Sequence, residues 1–192
     1  NRYRANFLHT SEGYAAVMRK IETEIPSMDE LNLPYVVQEM TNQPNGLILV
    51  TGPTGSGKST SLAAMTAHIN SSRKEHILTV EDPIEYIHHG KKCIVTQREV
   101  GRDTPSFAHA LRASLREDPD VILVGELRDL ETIQLAITAA ETGHLVFGTL
   151  HTSGAPNTIN RLIDVFPPQQ QDQVRSQLSQ SLRMVLTQKL FP

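Results

Sequence analysis

The chain has 192 residues, of which 39% are hydrophobic, and it carries a formal net charge of −3 and a single cysteine, Cys93. This length is sufficient for a buried core. A single cysteine excludes an intrachain disulfide and a metal cluster held by several cysteines, and such a low cysteine content is typical of the cytoplasm. Basic residues are scattered among acidic ones and no run of about 18 apolar residues occurs, so the composition argues against a nucleic-acid partner and a membrane-spanning helix.

The beginning of the chain alternates between short apolar and polar runs, such as YRANF and AAVMRKI, which is typical of strands. We expect residues 1–25 to be the end of a small domain, within an excerpt of a longer protein. Residues 26–34 are predicted to be a linker, since two prolines flank a capping-box spacing between Ser27 and Glu30. This linker is expected to contain one helical turn before the main domain begins at residue 35.

From residue 35 onward, short apolar strands alternate with amphipathic helices. The predicted strands are LILVT, HILTVE, CIVT, VILVG and HLVFGTL. The helix residues predicted to face the core are, in chain order, Val36, Val37 and Met40; Leu62, Met65 and Ile69; Phe107, Leu111 and Leu115; Leu130, Ile133, Ile137 and Ala140; Ile159, Leu162 and Ile163; and Val174, Leu178, Leu182 and Val185. Thr104 and Pro105 are predicted to start the third helix as its N-cap and first-turn proline. This alternation predicts an α/β fold with a mainly parallel sheet covered on both faces.

The segment GPTGSGKS, residues 52–59, matches the phosphate-loop pattern and lies between a predicted buried strand and the start of a helix. Its glycines allow backbone N–H groups to turn toward one anion, and the helix N-terminus adds partial positive charge. Lys58 is expected to reach the β- and γ-phosphates, and the Ser59 hydroxyl to bind Mg²⁺. The alternative is a glycine-rich turn with a solvated lysine, which does not explain why pattern and context agree. The sequence therefore predicts a nucleotide site.

Hydrolysis of a nucleotide also requires a carboxylate near the γ-phosphate. Glu126 follows the predicted buried strand VILV at the edge of the sheet where the phosphate loop also lies, so it is the candidate general base. Gly125 stands where an aspartate that holds magnesium is usual. In the segment TVEDPIE, Glu81, Asp82 and Glu85 are expected at the same edge, and we favour Glu85 for the surroundings of magnesium or the attacking water. An acid before a proline is also a common turn feature, which remains the alternative for each residue.

Three histidines are further candidates for a functional role. His151 ends the strand GTL, where an imidazole could contact the γ-phosphate or join two subunits, although a structural role remains open. His88 and His89 are adjacent, and neighbours in a strand point to opposite faces, so we expect no metal site there. Cys93 is interpreted as a small core residue.

Together these motifs resemble those of the secretion ATPases, and within them the type IV pilus retraction motors of the PilT/PilU family. The resemblance also rests on HILTVEDPIEY, KKCIVTQREVGRDT, LREDPDVILVGELRDLETI and AAETGHLVFGTLHTS. It implies a RecA-like P-loop NTPase domain at residues 35–192, preceded by the C-terminal end of a PAS-like domain at residues 1–25. It further implies that a C-terminal segment of the family lies beyond residue 192.

At matching positions the resemblance implies an ATPase that uses ATP and Mg²⁺. Glu126 is then the general base, with Glu85, His151 and Lys58 as further catalytic residues and Ser59, Glu81 and Glu85 near the metal. The nucleotide-binding residues that it implies are Gly52, Pro53, Thr54, Gly55, Ser56, Gly57, Lys58, Ser59, Thr60, Arg2, Arg4 and Arg19. The three arginines are expected to approach the γ-phosphate, and solvated strand arginines are the alternative.

The resemblance implies a homo-hexameric motor that powers pilus retraction at the inner face of the cytoplasmic membrane. Its expected partner is the inner-membrane platform protein of a type IV pilus, and it would be peripheral to the membrane. An ATPase of a related type II or type IV secretion system is the alternative with the same chemistry. A nucleic-acid translocase of the same fold is disfavoured by the acidic balance, and a regulatory subunit without turnover is disfavoured by the presence of Lys58 and Glu126.

Overall fold

The computed structural model describes residues 2–21 and 24–191. The strands, in chain order, are β1 (Arg2–Thr10), β2 (Gly13–Ile21), β3 (Gly46–Thr51), β4 (His76–Glu81), β5 (Ile94–Glu99), β6 (Val121–Val124), β7 (Leu145–Leu150) and β8 (Leu182–Thr187). The helices are α1 (Tyr35–Thr41), α2 (Lys58–Ser72), α3 (Phe107–Ser114), α4 (Leu130–Glu141), α5 (Ala155–Asp164) and α6 (Pro168–Ser181). From β3 onward strands and helices alternate as the sequence pattern predicts, except that β5 follows β4 and α6 follows α5 directly.

The main sheet contains strands in the order β5-β4-β6-β7-β3-β8, and its neighbouring strands run parallel. Strand β7 lies between β3 and β6, so Gly148 of β7 pairs with Leu49 on one side and with Val124 on the other. The predicted α/β fold with a mainly parallel sheet is confirmed. Because the strands are parallel, their carboxyl ends meet at one edge, where the predicted site residues follow their strands.

Strand β3 shows how the two faces of the sheet are covered. Its side chains alternate, so that Leu47 and Leu49 join a core cluster with residues of α3, α4, α5 and α6, whereas Ile48 and Val50 join a second cluster with residues of α1 and α2. All six residues of this strand are buried, which explains its continuous apolar sequence. The helix residues that are buried as predicted are Val37, Leu62, Met65, Ile69, Leu111, Ile133, Ile137, Ala140, Leu162, Ile163, Val174 and Leu178.

The end of the chain differs from the prediction. The sequence pattern extends the last helix through Leu182 and Val185, but α6 ends at Ser181 and the next residues form β8, which pairs with β3. Leu182 and Val185 are three residues apart, which fits a helix, whereas Leu182, Met184 and Leu186 occupy alternate positions, which fits a strand. A segment this short is therefore compatible with both. The prediction of two closing helices is therefore wrong for the last strand.

The start of α3 and several helix positions also differ. The pattern predicts Thr104 as the N-cap, but Ser106 caps the helix, and its hydroxyl accepts a hydrogen bond of 3.1 Å from the N–H of His109. Pro105 consequently precedes the helix and is not part of its first turn. Three residues predicted to be buried are substantially exposed, because each lies near a helix end: Val36, Leu115 and Leu130.

Strands β1 and β2 form a separate antiparallel hairpin whose side chains are mostly exposed. This confirms the strand character of the first residues, while their origin in a PAS-like domain remains a prediction. In the predicted linker, the N–H of Ser27 donates to Glu30 over 2.7 Å and the N–H of Glu30 donates to the Ser27 hydroxyl over 3.1 Å. The capping-box spacing thus forms the expected turn. No helix among residues 2–21 and 24–191 is long and apolar enough to cross a membrane.

Candidate nucleotide-binding site

The phosphate-loop motif connects the end of β3 to the first residue of α2. Gly57 precedes the helix with a φ of +86°, a left-handed conformation that glycine adopts without a steric penalty. Gly52 has a φ of +145°, and a Cβ atom at this position would overlap the carbonyl oxygen of Gln188. Both glycines are therefore required by the backbone geometry, which turns the chain sharply before the N-terminus of α2.

Lys58, the first residue of α2, is buried and turns back over this loop. Its Nζ atom donates to the carbonyl oxygen of Gly52 over 2.8 Å and to that of Pro53 over 3.0 Å, and it lies 3.5 Å from Nδ1 of His151. Burial lowers the pKa of Lys58, and the charges of Glu126 and Glu85 partly offset this effect. The two carboxylates thus favour the cationic form of the lysine.

Glu126 follows β6 by two residues and is the centre of a charged cluster. Its Oε2 atom lies 2.5 Å from Nη2 of Arg128, and its Oε1 atom lies 3.2 Å from Nε2 of His151. Burial acts to raise the pKa of Glu126, but the hydrogen bond and charge of Arg128, together with His151, outweigh burial and lower it. The carboxylate is therefore ionised at neutral pH.

His151 lies between Lys58 and Glu126 because β7, which it follows, lies between β3 and β6. An ammonium group can only donate hydrogen bonds, so Nδ1 of the imidazole faces Lys58 as an acceptor. The hydrogen of a neutral imidazole then resides on Nε2, where it is donated to the Glu126 carboxylate. The histidine thus connects the phosphate loop to the candidate base.

Gly125 occupies the position where the sequence lacks the usual aspartate, and the structure gives a steric reason. Its N–H donates to the carbonyl oxygen of Val80 over 2.8 Å, which brings the end of β6 close to β4. A Cβ atom on Gly125 would lie 3.2 Å from both this oxygen and the Cα atom of Glu81. A side chain at this position would therefore push against the backbone that carries Glu81.

The last residue of β4, Glu81, and Glu85 in the acidic segment that follows are two predicted residues in the same region. Glu81 is partly buried, and its Oε1 atom accepts hydrogen bonds from the hydroxyl of Thr79 over 2.7 Å and from the amide of Gln97 over 3.2 Å. Burial raises the pKa of Glu81, although these hydrogen bonds act in the opposite direction. Glu85 faces the cleft beside Lys58 and is exposed. Of the two carboxylates, Glu85 is thus the one oriented toward solvent.

These elements surround one cleft of about 630 Å³. The predicted residues that line it are Arg19, Thr54, Gly55, Gly57, Lys58, Ser59, Thr60, Glu81, Asp82, Glu85, Glu126 and His151. Three other predicted residues, Gly52, Pro53 and Ser56, lie in the phosphate loop but do not line the cleft. Arg4 lies in an adjoining pocket of about 210 Å³ beside Glu85 and Tyr86. The side chain of Arg2 lies outside the part of the chain that the structure describes.

The sequence reasoning did not identify several residues of this cleft. Arg128 is the most important of them, because it forms the shortest contact of Glu126 with a cation. Its position two residues after Glu126 in the segment GELRD was the available signal. The other lining residues that were not identified as site residues are Pro83, Phe107, Thr149 and Leu190.

The adjacent histidines 88 and 89 do not have the geometry of a metal site. His88 is buried, and burial lowers its pKa to about 4, so its imidazole is neutral, whereas His89 is exposed. Within the described ranges, no group of three or more histidine, cysteine, aspartate or glutamate side chains is arranged to hold a metal ion.

Comparison with known proteins agrees with the sequence motifs. The family model described as "Type II/IV secretion system protein" matches residues 2–192. A Pseudomonas aeruginosa protein named type IV pilus retractation ATPase PilT is 58% identical over 190 residues, which are 99% of this chain and 55% of that protein. A Neisseria gonorrhoeae protein named twitching motility protein is 57% identical, over 99% of this chain and 51% of that protein.

A solved structure of the pilus retraction motor PilT with bound ADP has a TM-score of 0.96 and 57% sequence identity, over 99% of this chain and 55% of that chain. The chain thus spans about half the length of the relatives that it matches. The resemblance to the pilus retraction motors that the sequence motifs indicated is confirmed. The chain belongs to the type II/IV secretion system protein family.

Proposed function

We propose that this chain binds ATP with Mg²⁺ and hydrolyses it, as the ATPase unit of a motor that retracts type IV pili. The observation that carries the proposal is the convergence of Lys58 and Glu126 on one cleft, with His151 in contact with both. Relatives that are named as a pilus retraction ATPase and a twitching motility protein support the cellular role.

The cleft fits a nucleotide in size and in chemistry. Its volume of about 630 Å³ is within the usual range for small-molecule sites. The N-terminus of α2 and the glycine-rich loop offer N–H groups to phosphate oxygens, and Lys58 provides a positive charge beside them. The ADP bound in the solved structure of the PilT motor supports the choice of an adenine nucleotide.

The residues beside the loop also fit Mg²⁺. The hydroxyl of Ser59 and the carboxylate of Glu85 line the same cleft, and both are oxygen ligands of the kind that magnesium prefers. Magnesium is commonly held by one or two protein oxygens together with substrate phosphates, so these two groups suffice beside a bound nucleotide. When bound, the ion neutralises phosphate charge. Glu81 is expected to support this side of the cleft, because its carboxylate is partly buried and hydrogen bonded.

In the proposed reaction, Glu126 accepts a proton from a water molecule as the water oxygen attacks the γ-phosphorus. The bond from that phosphorus to the oxygen bridging it to the β-phosphate breaks, which leaves ADP and inorganic phosphate. Lys58 holds the β- and γ-phosphate oxygens, and His151 orients the carboxylate of Glu126 through its Nε2 hydrogen. Arg128 has to loosen its contact for the base to act at full strength, since a paired carboxylate accepts protons weakly.

The experiment that tests the ATPase is phosphate release by the full-length protein. Glu126→Gln is expected to lower kcat by about 100-fold to 10,000-fold while nucleotide binding is retained. Lys58→Ala is expected to weaken ATP binding itself, and Glu39→Gln, which removes an exposed charge of α1, serves as the matched control. Hydrolysis by Glu126→Gln at the wild-type rate would remove the assignment of the base.

The cellular role is tested separately in a deletion strain. We expect loss of pilus retraction and of twitching motility, both restored by the wild-type gene and not by Glu126→Gln. A strain that keeps its motility but fails to secrete proteins would instead assign the ATPase to a related secretion system. Stimulation of hydrolysis by DNA would revive the translocase alternative.

We further propose that the active form is a homo-hexamer at the cytoplasmic face of the membrane, where a pilus platform protein is its partner. Residues 1–25 would belong to a PAS-like domain, with residues 26–34 as a linker to the ATPase domain.

Arg19 lines the cleft of its own chain, which supports a contact with the nucleotide phosphates, and Arg2 and Arg4 remain candidates for such contacts. Specific ATPase activity that rises with protein concentration and then saturates would support a hexamer that is required for hydrolysis, whereas activity that is constant during assembly would contradict this requirement.

A further inference from the structure

The acidic segment of residues 82–90, which carries Glu85, is held by a side chain of the edge strand β5. The Nε2 atom of Gln97 donates to the carbonyl oxygen of Tyr86 over 3.0 Å, and its Oε1 atom accepts from the N–H of His88 over 2.7 Å. The same amide nitrogen lies 3.2 Å from Oε1 of Glu81. One side chain therefore bonds the backbone on both sides of residue 87 and also a carboxylate of the nucleotide cleft.

Other bonds attach the same segment at further points. Glu99, two residues along β5 and on the same face, accepts from the N–H of Ile84 over 3.0 Å. The hydroxyl of Tyr86 lies 3.3 Å from the hydroxyl of Thr60 in the first turn of α2. Because Thr60 follows Ser59 directly, the segment is connected to the side of the phosphate loop where the metal is expected.

We propose that Gln97 is a positioning residue, which holds Glu81 and the segment that carries Glu85 in the arrangement needed to complete the metal side of the nucleotide cleft. This inference rests on the proposed function. A glutamine is suited to the position because Tyr86 and Glu81 present acceptors while His88 presents a donor, and a neutral amide carries both complements on one side chain. Residues that hydrogen-bond to metal ligands orient those ligands, and their mutation commonly lowers metal affinity by about tenfold to 100-fold.

The first measurement is amide hydrogen exchange, which needs neither nucleotide nor metal. In the full-length protein, Gln97→Met removes the acceptor of the His88 amide, so we expect that amide to exchange about tenfold faster. Thr96→Val is the matched control, because it removes a hydrogen bond to Nε2 of His76 from the neighbouring position of the same strand without touching the segment. Exchange of the His88 amide should be unchanged in this control.

The second measurement uses Mn²⁺ as the metal probe, with its binding followed by electron paramagnetic resonance in the presence of ADP. We expect Gln97→Met to weaken Mn²⁺ binding by about tenfold to 100-fold, with ADP affinity in the absence of metal unchanged. Gln97→Glu distinguishes the role of the side-chain oxygen, which accepts from His88, from that of the nitrogen, which donates to Tyr86 and Glu81. It keeps an acceptor for the His88 amide but places a second carboxylate against Glu81, so protection of the amide should persist while Mn²⁺ binding weakens.

The outcomes distinguish this inference from the proposed function. If the wild-type protein binds ADP and Mn²⁺ and neither Gln97 variant alters metal binding, Gln97 has no positioning role and the proposed function stands. If the wild-type protein binds neither ligand, the proposed function fails, together with the metal role of Gln97. Should Gln97→Met not fold, Gln97→Glu decides the question, because unchanged Mn²⁺ affinity in that variant overturns the inference.

Discussion

The Nε2 atom of His151 lies 3.2 Å from the Oε1 atom of Glu126. The other ring nitrogen lies 3.5 Å from Nζ of Lys58, so a single imidazole contacts both the phosphate loop and the candidate base. The contact depends on the order of the strands, because only β7 separates β3 from β6. A change at the phosphates that moves Lys58 is therefore expected to alter the orientation of Glu126.

Replacing this histidine should impair turnover more than binding. In His151→Ala, Glu126 loses the N–H donor that orients it, so we expect kcat to fall by about 100-fold with a smaller change in the KM for ATP. Steady-state phosphate release at several ATP concentrations measures both quantities. His89→Ala, which changes an exposed histidine near the acidic segment, is the control and should retain wild-type kinetics. An unaltered kcat in His151→Ala would show that the imidazole does not orient the base.

Arg128 is expected to set the pH dependence of hydrolysis. Burial raises the pKa of Glu126, but Arg128 and His151 outweigh burial, so the net pKa lies below its usual value and the carboxylate remains ionised to lower pH. In Arg128→Gln the pKa should rise, and the acidic limb of the kcat profile should move to higher pH.

The measurement for this variant is kcat across the acidic range, and the control is Arg102→Gln, which alters an exposed arginine that pairs with Asp103. The sign of the shift is decisive. A limb that stays in place, or that moves to lower pH, would mean that Arg128 does not control the ionisation of the base.

The sequence predicted the sheet and the phosphate loop because both depend on local signals. Apolar strands that are buried on both faces have a continuous pattern, and the loop requires glycines, Lys58 and a hydroxyl at set spacings. The last strand was not predicted, because the short segment LRMVLT has apolar residues at both helical and strand spacings and its structure depends on pairing with β3.

The sequence allowed prediction of the candidate site residues that follow strand ends, but not of the contacts between their side chains. The topology brings residues that follow β4, β6 and β7 to one edge, so Glu85, Glu126 and His151 could be inferred from their positions. The contact of Arg128 with Glu126 and the hydrogen bonds of Gln97 could not, because they depend on the direction of individual side chains. A glutamine in a strand has no motif, and its role emerges only when three hydrogen bonds are seen together.

The buried face of α4 supplies a test of the packing. Ile137 has no exposed surface, whereas Leu130 at the start of the same helix is 39% exposed, although the sequence pattern predicted both to be buried. Ile137→Ala should lower the free energy of unfolding by about 2–5 kcal/mol, and Leu130→Ala by less than about 1 kcal/mol. Urea denaturation of the two variants gives these values. Equal losses would place the start of α4 in the core, contrary to the structure.

Alanine variants at two glycines of the phosphate loop distinguish the cost of a positive φ angle from the cost of a steric overlap. Both have positive φ angles, of +145° at Gly52 and +79° at Gly55. A Cβ atom on Gly55 would meet no atom within 4 Å, so Gly55→Ala should cost only the conformational penalty, about 1–2 kcal/mol. A Cβ atom on Gly52 would overlap the carbonyl oxygen of Gln188 and lie 2.7 Å from Oγ of Ser56, so Gly52→Ala should destabilise by more than about 4 kcal/mol.

The contrast between these variants depends on the segment after β8. The N–H of Gln188 donates to the carbonyl oxygen of Thr51 over 2.8 Å, and its side-chain amide donates to the hydroxyl of Ser61 over 2.8 Å, which fixes Gln188 against the base of the loop. Urea denaturation without nucleotide compares the two alanine variants directly. If Gly52→Ala is no less stable than Gly55→Ala, Gln188 can move away at little cost, and the loop is not held by the segment after β8.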